Sequence, residues 1–121
     1  MPLALIEVCR KRSDDEIEQL LQAVYEAQLK AFNVPASDRQ LRYVEHDPKC
    51  FFIPPDSSEN FTLVSIQIFP GRTEVAKQVL YQEIIKRFGA LGIQDVDIFI
   101  GLTESSRENW CIRNGRPAPS C

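Results

Sequence analysis

The sequence predicts an α+β fold, a tandem βαβ repeat in which a four-stranded mixed sheet carries two helices on one face. Three observations predict it. The stretches "LALIEVCRKRSDDEIEQLL" from Leu3 and "LVSIQIFPGRTEVAKQVLY" from Leu63 align without a gap at a shift of sixty positions, so that Ile6 meets Ile66, Arg12 meets Arg72 and Ser13 meets Thr73. Each copy reads as an apolar strand, a tight basic turn and a capped helix, which is a duplicated supersecondary unit rather than a solenoid. Finally, 121 residues suffice for one domain and not for two ordinary ones. A single domain over 1–121 is expected, with pseudo-repeats over about 2–46 and 61–102 and a C-terminal tail over 103–121.

The elements follow from pattern. Leu3 to Val8 is mostly apolar, as a largely buried strand requires. "SDDE" at Ser13 to Glu16 is a capping box, and Ile17, Leu20, Leu21, Val24 and Ala31 trace one helical face that ends near Asn33, before Pro35. "RQLRYVEH" from Arg39 predicts the second strand. "DPKCFFIPPDSSEN" predicts a loop, with Phe51 and Phe52 able to form a short strand. Phe61 to Phe69 is rich in β-branched and aromatic residues and predicts the third strand. Thr73 caps a second helix with Val79, Leu80, Ile84 and Phe88 on its apolar face, stopped by Gly89 and Gly92. "DVDIFIGL" from Asp95 predicts the last strand, with Val96, Ile98 and Ile100 on one face. The sheet face away from the helices keeps apolar residues, so an oligomer is expected to bury it.

Composition narrows the function classes. A net charge of −3 disfavours a general nucleic-acid binder, and no apolar run approaches the length of a membrane span. Glu7 and Arg10 interrupt the first apolar run too early for a secretory signal. Cys9, Cys50, Cys111 and Cys121 form no CxxC pair and no His/Cys cluster, so neither a metal nor a disulfide framework is expected, and a cytoplasmic protein with reduced thiols is. Cys9 reads as a small apolar strand residue. The lone histidine, His46, has no triad partners in the sequence and reads as structural. The sequon at Asn60 is read as a chance match.

Pro2, directly after Met1, permits two readings: a residue that opens a strand, or a secondary amine once the methionine is removed. "AFNVPASDRQ" from Ala31, "IQIFPGRTEVAKQVLY" from Ile66 and "RENWCIRNGR" from Arg107 bear on that choice. In this order and spacing, with Pro2 in place, the whole chain resembles the tautomerase superfamily, and its motifs are similar to those of the malonate semialdehyde decarboxylase-like group. The resemblance implies a cofactor-independent enzyme, a homotrimer, and an N-terminal proline amine as acid or base. It makes Arg72 the carboxylate-binding arginine, a task suited to a bidentate and permanently charged guanidinium. It makes Asp38 the aspartate that assists substrate or water activation. It also places Trp110 and Ile112 in an apolar pocket wall and brings Phe51 and Arg39 near the substrate.

Each of these residues has a plainer reading. Arg72 and Arg12 would be solvated turn arginines, the more so Arg12. Asp38 would cap a turn after Pro35, Arg39 would pair with Asp38, and Trp110 would anchor the tail. The sequence departs from the family pattern twice. Pro70 stands where the decarboxylases carry a second arginine, and Ile112 stands where a phenylalanine is usual. The expectation is therefore a keto–enol tautomerase acting on a small 2-oxo or 3-oxo carboxylate, with catalytic residues Pro2, Asp38 and Arg72. The alternatives are malonate semialdehyde decarboxylase, and a non-catalytic binding trimer on the same scaffold.

Overall fold

The computed structural model describes residues 2–118; Met1 and the last three residues of the expected tail, Cys121 among them, lie outside the described residues. Strand β1 (Leu3–Val8) leads into helix α1 (Asp14–Phe32) and strand β2 (Leu41–Glu45). Strand β3 (Thr62–Ile68), helix α2 (Glu74–Ala90) and strand β4 (Ile98–Glu104) repeat that order. The sheet runs β2-β1-β3-β4. Within each copy the strands are parallel, and the two copies meet through the antiparallel pair β1 and β3. The expected mixed sheet and duplicated unit are therefore present.

Alternation decides the layers. Ala4, Ile6 and Val8 of β1 share one face with Val64, Ile66 and Ile68 of β3, and all six are buried. Against this face pack Leu20, Ala23, Val24 and Ala27 of α1 and Leu80, Ile84 and Phe88 of α2. The opposite face carries Leu3, Leu5, Arg42, Val44, Leu63 and Phe99, with neither helix on it.

The helix ends repeat as their sequences do. Ser13 Oγ accepts the amide of Glu16 at 3.2 Å, and Glu16 Oε1 accepts that of Ser13 at 3.0 Å. The bond from the Ser13 amide holds the Glu16 carboxyl below its ordinary pKa. Thr73 Oγ1 accepts from Ala76 N at 3.1 Å, half of the same device. At the far end of α2, Gly92 has φ +91° and lets Ile93 N–H reach Phe88 O at 3.0 Å while Gly92 N–H reaches Gly89 O at 3.0 Å. That is a Schellman closure, so Gly92 stops the helix, and Gly89 lies inside it.

Several local expectations are corrected. Val96 is not in a strand: Asp95–Asp97 form a 3₁₀ turn and Val96 is exposed. The buried Asp97 side chain accepts the Ser58 amide at 2.6 Å and the Ser58 hydroxyl at 2.7 Å, which holds the turn and delays β4 to Ile98. The strand then runs to Glu104, into the expected tail. Phe51 and Phe52 form no strand; they follow a 3₁₀ turn at Pro48–Cys50, and Phe52 is fully exposed. Cys9 lies just past β1, buried, with its thiol 3.7 Å from Glu59 O, and burial raises its pKa. Arg12 is not solvated. It is buried, its Nη1 donates to the Tyr43 hydroxyl at 3.4 Å, and its Nη2 has no hydrogen-bond partner among the described residues.

Candidate active site

The antiparallel pairing of β1 and β3 sets the start of β1 beside the end of β3. Leu3 pairs with Gln67, so continuing the ladder by one residue brings Pro2 opposite Ile68. Pro2 is buried and has the same alternation as Ala4 and Ile6, which turns it toward the helix layer. Phe69, Pro70, Gly71 and Arg72 follow at the same end, and Gly71 makes the turn with φ +112°. Because β1 and β2 are parallel, the segment before β2, with Asp38, Arg39 and Gln40, also lies at this end. The tail joins them after β4, tied by the Ser105 amide to Ile68 O at 3.0 Å.

Arg72 is half-buried rather than solvated. Its Nη1 donates to Phe32 O, the last residue of α1, and its guanidinium lies 4.9 Å over the Phe32 ring. An arginine here satisfies a helix carbonyl and meets the negative end of the helix dipole. One of its five N–H donors serves that bond.

Asp38 closes a turn through its amide to Pro35 O at 2.9 Å. Its half-buried carboxylate has no hydrogen-bond or ion-pair partner among the described residues, so the expected cap is made by the backbone alone. Arg39 does not pair with Asp38. It stacks 5.3 Å from the Tyr25 ring and lines a cleft of about 230 Å³ with Glu18, Leu21, Gln22 and Leu41. The Tyr25 hydroxyl in turn donates to Ala36 O at 2.6 Å and holds the loop on α1.

Trp110 packs edge-on against Phe69 at 5.2 Å, and its indole N–H donates to Ser105 O at 3.0 Å. It therefore anchors the tail and presents its ring to Phe69, at the end of β3. Ile112 sits in a small turn bounded by the Cys111–Pro117 bridge, 37% exposed in the single chain. Phe51 is not brought to this end. His46 N–H donates to Val8 O, and Phe51 stacks between His46 and Phe61, so it lies at the far end of the sheet.

Two residues at the Pro2 end escaped sequence reasoning. Arg107 lies 4.3 Å over the Phe69 ring; its place in "RENW" gave no sign of that stacking. Gln40 donates from Nε2 to Pro2 O at 3.1 Å, and its backbone O accepts from Ala4 N at 3.1 Å. Only the pairing of β1 with β2 brings Gln40 there. In the same tail the Ser106 hydroxyl, 2.7 Å from Glu108, holds that carboxyl below its ordinary pKa.

A family model described as a tautomerase enzyme matches residues 38–113. The chain belongs to the tautomerase family. Within it, this tautomerase-family chain is 27% identical to the probable tautomerase YusQ of Bacillus subtilis, over 96% of each chain. A solved malonate semialdehyde decarboxylase is 28% identical, with a TM-score of 0.86 over 94% of this chain and 92% of that one. A fused 4-OT, described as a wild-type asymmetric trimer, shares the fold with a TM-score of 0.84 at 14% identity, over 96% and 95% of the two chains.

Proposed function

We propose that this tautomerase-family chain is a cytoplasmic, cofactor-independent keto–enol tautomerase of small 2-oxo or 3-oxo carboxylates, working as a homotrimer with Met1 removed. The observation that carries the reading is the gathering of Pro2, Asp38, Arg72 and Trp110 at one end of the sheet. Arg72 holds the substrate carboxylate with the donors not given to Phe32. The proline amine, neutral, takes the enol hydroxyl proton while the carbonyl forms. The electron pair of the C=C bond then takes a proton at carbon from the resulting ammonium, so the amine is regenerated. Asp38, with its free carboxylate, steadies the protonated amine between these steps. Trp110 shields the site from water and strengthens both interactions. The trimeric fused 4-OT lends support to the assembly.

One comparison favours a second reading. The decarboxylase at 28% identity was solved in wild-type, proline-to-alanine and inactivated forms, which supports a chemical role for Pro2 and admits decarboxylation here. In that reaction a protonated amine polarises the 3-oxo group, carbon dioxide leaves with the C–C bond breaking, and the enolate takes a proton. Proline at position 70 removes one carboxylate-binding cation of the decarboxylase pattern, and decarboxylation needs that cation more than tautomerisation does.

Intact mass and steady-state rates on an aryl enolpyruvate and on malonate semialdehyde test the reading. The expected mass lacks one methionine. Pro2→Ala, which replaces the secondary amine with a primary one, lowers kcat about 100-fold or more. Arg72→Ala lowers kcat/KM by about 10- to 100-fold, as loss of a charge-assisted pair does. Unchanged rates in both variants would make the assignment of Pro2 and Arg72 as catalytic residues wrong, and a retained Met1 would favour the non-catalytic binding trimer.

A further inference from the structure

A chain terminus ordinarily frays, because its first residues lack backbone partners. Pro2 has this problem in an acute form. It has no strand N–H to donate, and it lies outside the first ladder pair, Leu3 with Gln67. Among the described residues its carbonyl is held by a side chain: Gln40 Nε2, at 3.1 Å. The rest of Gln40 is also engaged. Its Oε1 accepts the Arg39 amide at 2.8 Å, and its backbone O accepts the Ala4 amide at 3.1 Å. Because both ends of the side-chain amide are used, donor toward Pro2 and acceptor toward Arg39, its orientation is fixed. Gln40 thus brackets the residues on either side of Leu3.

We propose that Gln40 is the positioning residue of the Pro2 amine, fixing the terminal proline by its carbonyl so that the ring nitrogen keeps one direction toward a carboxylate held by Arg72. The proposal rests on the reading that the Pro2 amine is the acid–base group. A glutamine is specific for this task. Glutamate would offer only acceptors to a carbonyl and would add a negative charge beside the amine, and asparagine is one methylene too short to keep the same span. The charged groups of the segments at this end include Asp38 and Arg39 before β2, Arg72 after β3, and Glu104, Arg107, Glu108, Arg113 and Arg116 of the last segment; Glu104 is paired with Lys77 at 3.3 Å.

The test uses the methionine-processed protein, labelled with ¹⁵N-proline, and compares Gln40→Leu, Gln40→Asn and Gln40→Glu with the parent. Gln40→Leu and Gln40→Asn should lower kcat about tenfold or more on an aryl enolpyruvate, because a small misplacement of a reacting group has effects of that order. KM should stay within about twofold, since Arg72 is untouched. Gln40→Glu should move the NMR titration of the Pro2 nitrogen to higher pH, because a nearby carboxylate favours the charged amine. A structural tie between β1 and β2 would lower only the melting temperature. Unchanged kcat in Gln40→Asn, or an unmoved titration in Gln40→Glu, overturns the proposal. The titration needs no turnover, so a protein in which Pro2→Ala is fully active would refute the catalytic reading while the titration still reports the Gln40 contact.

Discussion

Gln28 is the core residue least at ease with its surroundings. It is 1% exposed in α1, and neither atom of its side-chain amide has a hydrogen-bond partner among the described residues. A buried amide left unpaired costs about 1–3 kcal/mol for each group. Gln28→Met keeps the length and removes both polar atoms, so urea unfolding should show a gain of about 1 kcal/mol or more. A loss instead would mean that an ordered water serves the amide. Residues of this kind mark the limit of sequence reasoning. The roles of Ser13, Thr73 and Gly92 were legible because local spacing alone creates a cap. The burial of Arg12 under Tyr43 and the reach of Gln40 to Pro2 were not, because each depends on a strand pairing between residues about thirty or more positions apart.

At the scale of elements, polar bonds reinforce the apolar contact between α1 and α2. Lys30 pairs with Glu83 at 3.2 Å, Arg87 with Glu83 at 3.2 Å, and Arg87 with Glu26 at 2.6 Å, so the two helices share one small network. The hydrogen bond from Lys30 is the main cause that holds the Glu83 carboxyl below its ordinary pKa. A group with a depressed folded pKa contributes stability above its unfolded pKa, and that contribution is lost as pH falls through the folded value. Melting temperatures measured on an acid series should therefore fall less steeply for Glu83→Gln than for the parent. The variant should melt lower at neutral pH and meet the parent once the pH has fallen below the folded pKa of Glu83. Parallel slopes would show that the pair adds nothing measurable. The repeat foretold both helices and all four strands; it did not foretell the 3₁₀ turn at Asp95–Asp97, which a partner in the other copy's flanking loop, Ser58, helps to hold.

For the whole molecule, the unfilled side of the sheet is the feature with the widest reach. Phe99 is 50% and Val44 37% exposed there, beside Leu3, Leu5 and Leu63. In the proposed trimer this face is buried between chains. Leu5→Arg would place a charge at its middle strand, and light scattering should then report single chains in place of three. A trimer that survives the substitution would move the interface to another surface. Duplication sets one more property of the molecule. A chain has only one beginning, and Thr62, the counterpart of Pro2, is buried in its interior with its hydroxyl bonded to Asn60 O at 2.9 Å. An amide nitrogen in mid-chain has no basicity, so the backbone nitrogen of Thr62 cannot take the role proposed for that of Pro2. On the proposed reading of Pro2, the stoichiometry is one reactive amine for every two βαβ units. An inhibitor directed at that terminal amine should saturate at one equivalent per chain.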